Sequence, residues 1–312
     1  LIRKSTKLRQ LLQEDRCLKI IGANDGMTAI LGEREGFDGL WASGLAISTS
    51  YGVPDASILT MTEFLDAASM MNKASSLPII ADCDTGFGEV NNIIRMIREY
   101  ENAGIAAVCI EDKNFPKRNS FLEGHDLADM YEFAAKIHIA KAAQTDPDFV
   151  VIARLESLIA GMGLEDALTR AQMYADAGAD AILVHSKSKE ATEVLAFAAR
   201  WKKIGRKTPL IIVPTTYYTL TFQQAEMAGF SMVIYANQLL RSAVKAMEEA
   251  LLVINEHGNT EPLEAQMSTV KEVFSLVKTQ EATAKETSFD QLVSRLREQE
   301  MTQDLLSVGE SS

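Results

Sequence analysis

Glu35-Gly36-Phe37-Asp38-Gly39-Leu40-Trp41, Ala103-Gly104-Ile105-Ala106-Ala107-Val108, Ala177-Gly178-Ala179-Asp180-Ala181-Ile182 and Ala228-Gly229-Phe230-Ser231-Met232-Val233 repeat one pattern: a helix end, a glycine, then an apolar run. Glycine just past a helix end supplies the left-handed residue that stops the helix. Eight apolar runs stand at 18–22, 39–43, 78–82, 106–111, 149–154, 181–185, 210–214 and 232–236. The four glycines precede the second, fourth, sixth and eighth runs. Each run is apolar on both faces, as buried parallel strands are. Between them lie stretches of helical period, such as 89–102 and 164–177. Ordinary loop chemistry explains each glycine singly; their even spacing favours a doubled βαβα unit carried round a closed barrel. The expected fold is therefore an α/β (β/α)8 TIM-type barrel over residues 1–258. After His257-Gly258 the sequence turns polar, and 259–312 is expected to be a C-terminal helical extension. Helical segments are expected near 268–279 and 289–299, with the last dozen residues frayed.

The composition suits one large core: 47% of the 312 residues are hydrophobic and 24% charged. The net charge of -12 argues against nucleic acid and anionic membranes as partners. A small anionic substrate would then need a metal or a focused Lys/Arg pocket. Cys17, Cys83 and Cys109 lack CxxC spacing, which suits a reducing, cytoplasmic setting. No stretch approaches 18 consecutive apolar residues, so no membrane-spanning segment is expected. The start, Leu1-Ile2-Arg3-Lys4, has no apolar signal core and no initiator Met, so the true N-terminus is expected to be missing or processed.

Barrel chemistry sits at the C-terminal ends of the strands. There the chain places Trp41-Ala42-Ser43-Gly44-Leu45, Asp82-Cys83-Asp84-Thr85-Gly86-Phe87-Gly88, Glu111-Asp112-Lys113, Arg154-Leu155-Glu156, His185-Ser186, Pro214-Thr215-Thr216 and Asn237. Asp82, Asp84 and Glu111 come from neighbouring strands and would repel one another unless a cation sat among them. Hard oxygen donors favour Mg²⁺ or Mn²⁺ over zinc. Mg²⁺ keeps several waters, so a single direct carboxylate is compatible with the set. The plain alternative is that both aspartates merely cap the next helix or turn. The N–H groups of Gly44 and Leu45 are placed to meet a carboxylate or enolate oxygen; a tight turn would use the same glycine. Arg154 suits a phosphate or carboxylate, or else an ion pair with Glu156. His185 suits a phosphoryl oxygen or a structural role. Residues 111–120 have the makings of a lid, stiffened by Pro116 and carrying Lys117, Asn119 and Ser120; the alternative is a solvated basic loop. His125, His138 and His257 read as loop or helix-surface residues.

Glu111-Asp112-Lys113-Asn114-Phe115-Pro116-Lys117-Arg118-Asn119-Ser120 closely resembles the signature of the phosphoenolpyruvate mutase family, within the isocitrate lyase superfamily. The likeness extends over Trp41–Leu45, Asp55, Asp82–Gly88, Arg154, His185, Pro214-Thr215 and Tyr235-Ala236-Asn237, and covers the chain to about residue 280. It implies interconversion of phosphoenolpyruvate and phosphonopyruvate with Mg²⁺. Asp82 would be the direct ligand, with Asp55, Asp84 and Glu111 around the metal's waters. Trp41, Ser43, Gly44 and Leu45 would hold the pyruvyl part. Arg154, His185, Asn119 and Ser120 would surround the phosphoryl group, and Lys117 would ride the gating loop. The residues alone do not single out Asp55.

Three rivals remain at this level. Phosphonopyruvate hydrolase resembles the chain through the whole barrel, and 48–56 looks somewhat closer to it, but that family carries Thr where this chain has Asn119. A C–C lyase of the superfamily would need a catalytic Cys in the loop, where Lys117-Arg118-Asn119-Ser120 stands. A non-catalytic barrel would be expected to lack the carboxylates or the lid. The resemblance also implies a homo-oligomer, a tetramer or dimer, with a C-terminal helix exchanged between subunits.

Overall fold

A computed structural model of the chain describes residues 2–124 and 126–309. Its parallel strands are β1 (Leu18–Ala23), β2 (Gly39–Ala42), β3 (Ile79–Asp82), β4 (Ala107–Glu111), β5 (Val150–Leu155), β6 (Ala181–Val184), β7 (Leu210–Ile212) and β8 (Met232–Tyr235). They close in sequence order, β8 pairing with β1 through Leu18↔Met232 to Ile21↔Tyr235. The eight apolar runs thus become the eight barrel strands, each within a residue or two of its expected limits. The helices are α1 (Lys4–Leu11), α2 (Gly26–Arg34), α3 (Gly44–Ser50), α4 (Met61–Ala74), α5 (Val90–Asn102), α6 (Met130–Ala143), α7 (Gly163–Asp176), α8 (Thr192–Ile204), α9 (Phe222–Met227), α10 (Gln238–His257), α11 (Val270–Leu276) and α12 (Thr279–Gly309).

Two cores follow from the two-residue period of the strands. Leu18, Ile20, Trp41, Ile80, Cys109, Ile152, Leu183, Ile211 and Ile234 point inward and fill the barrel, with Leu8 of α1 among them. Ile21, Leu40, Ile79, Val108, Val151, Ile182 and Val233 point outward beneath the helices. Gly36, Gly104, Gly178 and Gly229 all adopt positive φ, as a helix-stopping residue must.

The chain divides into two compact units, 1–245 and 246–312, so the division falls inside α10, ahead of the expected boundary at 258. In the second unit α11 matches the first expected segment. The second segment is longer than the expected 289–299, because α12 is continuous from Thr279. Its first turns, Thr279-Gln280-Glu281-Ala282-Thr283-Ala284-Lys285-Glu286, are polar yet rich in good helix formers, and an argument from apolar period passes over them. α12 runs to Gly309; residues 310–312, and His125, lie outside the described residues. His138 and His257 are exposed on α6 and α10.

Candidate active site

The inward-facing series of several strands ends in a polar residue at the barrel mouth. Ile80 is followed two residues on by Asp82, Cys109 by Glu111, Ile152 by Arg154, and Leu183 by His185. The ladder sets Asp82 beside Cys109 and Glu111 beside Arg154. One cavity is lined by Trp41, Ser43, Leu45, Asp55, Asp82, Glu111, Lys117, Asn119, Ser120, Arg154 and His185. Of the thirteen residues expected in the site, only Gly44 and Asp84 are not at its wall. Both lie directly behind it.

Gly44 sits at the start of α3, which Ser43 caps by accepting from Ala46 N at 3.3 Å. Its N–H points at Asp82 Oδ2, 3.3 Å away, and a Cβ there would lie 2.9 Å from that oxygen. In this structure, therefore, the Gly44 N–H faces a carboxylate, while Ser43 and Leu45 line the cavity. Asp84 opens the turn through Gly88, where Asp84, Gly86, Phe87 and Gly88 all have positive φ. That turn needs glycine twice, since such backbone is costly for other residues. Its carbonyl accepts from Glu111 N at 2.8 Å, tying the β3 end to the β4 end.

Residues 111–120 close over this floor. Lys117 and Ser120 are buried, while Asn114, Phe115 and Arg118 face solvent, so the segment is no solvated loop. Lys117 Nζ reaches Asp55 Oδ1 at 2.8 Å and Asp84 Oδ1 at 2.6 Å. Asn119 Nδ2 donates to Asp55 Oδ2 at 2.8 Å. Asp55, invisible to the residue-by-residue reading, thus anchors the closed segment from the loop after α3. Ser120 Oγ donates to Glu156 Oε2 at 2.7 Å and accepts from Lys113 Nζ and Arg154 Nη2. Its proton is committed to Glu156, while Ser120 lines the cavity.

The electrostatics centre on crowded carboxylates. Burial pushes Asp84 up to about 7, Lys117 opposing and Asp82, Glu111 and Asp55 reinforcing. Burial likewise raises Glu111, against Arg154, Lys113 and Lys117. Burial disfavours the Lys117 ammonium, yet Asp84, Glu111, Asp82 and Asp55 hold it well above the usual lysine range. Both Glu111 oxygens are buried without a hydrogen bond, the nearest cation being Arg154 Nη2 at 3.3 Å from Oε2, whereas Asp84 Oδ1 and Asp55 Oδ1 face the Lys117 ammonium. Such oxygens are costly unless a cation faces them. The set is all oxygen, which fits a hard divalent ion. Among the described residues no three His, Cys, Asp or Glu side chains gather tightly enough to ligate one ion together. That is compatible with the expected single direct carboxylate and a water-rich shell.

Two residues of the site escaped the sequence reading. From sequence, Lys113 is only part of the loop and Glu156 only a structural ion partner of Arg154. The signal was their spacing: Glu111/Lys113 and Arg154/Glu156 are two apart, hence on one face at each strand end. Behind them Asp112 accepts from Glu156 N (2.8 Å), Tyr174 OH (2.8 Å) and Arg170 Nη1 (3.2 Å), bracing both ends from outside the barrel.

Comparison with known proteins places this architecture. The family model described as phosphoenolpyruvate phosphomutase matches residues 8–254. A phosphoenolpyruvate phosphomutase of Tetrahymena pyriformis is 44% identical over 276 residues, covering 88% of this chain and 91% of the relative. The crystal structure of a phosphoenolpyruvate phosphomutase from Streptomyces platensis subsp. rosaceus superposes with a TM-score of 0.89 at 47% identity, over 91% of this chain and 99% of that one. A phosphonopyruvate hydrolase solved with oxalate and Mg²⁺ gives 0.86 at 40% identity, over 92% and 99%.

Proposed function

The chain belongs to the phosphoenolpyruvate phosphomutase family, and from that premise we propose that it is an isomerase interconverting phosphoenolpyruvate and phosphonopyruvate. The P–O bond to the enolate oxygen breaks and a P–C bond to C3 forms, with no net gain or loss of water or protons. The observation that carries this reading is Asn119, bonded to Asp55 in the closed segment, at the position where the hydrolases are expected to carry Thr. Overall identity is high to both families and does not separate them.

Phosphoryl transfer has a loose, metaphosphate-like transition state, so positioning and charge do most of the catalysis. Arg154, His185 and Asn119 hold the phosphoryl unit while the enolate turns its carbon toward phosphorus. Ser43 and Leu45 N–H, with the Trp41 ring, keep the pyruvyl part in place. Lys117 and Asp55 close the roof and keep water from the reactive phosphoryl. Mg²⁺, with Mn²⁺ as a substitute, would be held by Asp82 with Asp55, Asp84 and Glu111 around its waters, and when bound would supply positive charge to the enolate. Oxygen-only donors, the two buried Glu111 oxygens without a hydrogen bond and the Mg²⁺ bound to the hydrolase relative support that choice.

Three buried free cysteines and the absence, among the described residues, of any helix long and apolar enough to cross a membrane suit a cytoplasmic enzyme. The exposed apolar side chains of α10, α11 and α12 suit a homo-oligomer. Phosphonopyruvate incubated with the protein and Mg²⁺, followed by phosphorus NMR, tests the reaction. Phosphoenolpyruvate should appear. Free inorganic phosphate as the main product would make the protein a hydrolase, and an unchanged spectrum would remove both activities.

A further inference from the structure

One fully buried carboxylate beneath the phosphoryl-binding groups has no part in the chemistry above. Glu156 has two oxygens, and both are taken. Oε1 accepts from Arg154 Nε at 2.7 Å and lies 2.8 Å from His185 Nδ1. Oε2 accepts from Ser120 Oγ at 2.7 Å and pairs with Lys113 Nζ at 3.0 Å. Four partners fill the lone pairs of a carboxylate. No capacity is left for a substrate or a metal, so whatever Glu156 does, it does through its neighbours.

Those neighbours divide into two groups. Arg154 and His185 belong to the barrel floor and would meet the phosphoryl unit. Ser120 belongs to the closing segment. We propose that Glu156 is a positioning residue that joins the two, so that closing the 111–120 segment and aligning the Arg154–His185 pair are one event. This rests on the functional reading above only for which groups meet the phosphoryl unit.

The geometry makes the coupling specific. Opening would remove Ser120 Oγ from three partners at once: Glu156 Oε2, Lys113 Nζ at 2.6 Å and Arg154 Nη2 at 3.0 Å. Lys113 Nζ would also lose the Arg118 carbonyl, 3.0 Å away. Each is a polar group in a buried place, where an unmet partner is costly. Glu156 itself is braced, since its N–H donates to Asp112 Oδ1.

The same carboxylate sets the His185 tautomer. Nδ1 has two neighbours, Glu156 Oε1 at 2.8 Å and Arg154 Nη2 at 3.0 Å. A bare Nδ1 would set a lone pair against a carboxylate at hydrogen-bond distance. Arg154 Nη2 has Ser120 Oγ as another acceptor. The proton therefore sits on Nδ1, and Nε2 is the nitrogen presented to ligands, as second-sphere carboxylates do for histidines elsewhere.

The test uses the full chain and two variants. In Glu156→Gln the amide oxygen can still face His185, but its NH₂ then meets the Lys113 ammonium, donor against donor. Ser120→Ala removes the latch and leaves Glu156 intact. Trypsin added to the ligand-free protein should cut after the exposed Arg118 about tenfold faster in either variant, the size of one lost hydrogen bond. With Mg²⁺ and phosphonopyruvate, kcat should fall by about 10²-fold with KM nearly constant, as misplacement without lost binding produces. Nitrogen NMR of the wild type should show His185 protonated at Nδ1; with four histidines in the chain, His185→Asn identifies its signals. Wild-type cleavage rates in a folded Ser120→Ala, or an Nε2–H tautomer, would overturn the proposal. Should Glu156→Gln not fold, Ser120→Ala decides alone. Proteolysis and tautomer need no substrate, so an inactive wild type would defeat the functional reading and leave the latch standing.

Discussion

Asp84 carries the energetic problem that the site must solve. Its carboxylate is buried beside Asp82, Asp55 and Glu111, with Lys117 as the nearest counter-charge. Burial moves its titration from the ordinary value of 3.8 up to about 7. Between those values the folded metal-free chain holds a proton that the unfolded chain has released. Stability must then fall as pH rises through that window. The proposed divalent cation, held among the carboxylates, would offset the loss and displace the proton. Added Mg²⁺ is therefore expected to raise the melting temperature more at pH 8 than at pH 5.5, measured by differential scanning fluorimetry; an equal rise at both would contradict it. Asp82→Ala is the sharper change. Asp82 accepts from Gly44 N and Asp84 N and adds negative charge to a crowded place. Removing it should leave the melting temperature of the metal-free protein unlowered. Activity should drop by about 10³-fold or more, the several kcal/mol a metal's charge supplies to an enolate. Retained turnover in a steady-state assay would show that Asp82 is not the ligand.

At the scale of elements, the proposed reaction gives the 111–120 segment control over the fate of the phosphoryl group. Asn119 spans two partners: Nδ2 donates to Asp55 and Oδ1 accepts from Phe121 N at 3.1 Å. Threonine is shorter and branched at Cβ, so one hydroxyl cannot meet both. Asn119→Thr should loosen the roof and raise the ratio of phosphate to phosphoenolpyruvate by roughly tenfold, or ~1.4 kcal/mol in relative barrier, read by phosphorus NMR. An unchanged ratio would shift the mutase–hydrolase distinction to residues elsewhere, such as 48–56. The strands and the residues at their ends were legible because burial on both faces and the two-residue period are local properties of sequence. Asp82, Glu111, Arg154 and His185 simply continue the inward series. The closing segment was legible as a set of donors but not as a set of bonds. That Ser120 gives its proton to Glu156, or that Asp55 receives Asn119 and Lys117, depends on pairs 36, 64 and 62 residues apart, and no local pattern records them. Gly44 shows the same limit: the contact of its N–H with Asp82 joins residues 38 apart in sequence.

For the whole molecule, the large exposed apolar side chains among the described residues are densest late in the chain. Phe289, Leu292 and Leu296 of α12 are all more than half exposed, and their spacing of three and four puts them on one helical stripe. Met247, Leu251 and Leu252 of α10, and Val273 and Phe274 of α11, are also exposed. Soluble single chains seldom leave so many large apolar side chains in water, and a second copy is the occupant that the proposed homo-oligomer supplies. Self-association must also work against a net charge of -12 on each chain. Salt screens that repulsion and leaves apolar burial intact, so assembly should strengthen between low and moderate ionic strength. Sedimentation velocity should show a dimer or larger species for the whole chain. The double change Leu292→Ser with Leu296→Ser should shift it toward smaller species, most clearly at low salt. Both residues lie in the unit outside 1–245 that holds every barrel strand, so the circular dichroism of the barrel should persist. A monomeric wild type at micromolar concentration would mean that these stripes face something other than a second copy.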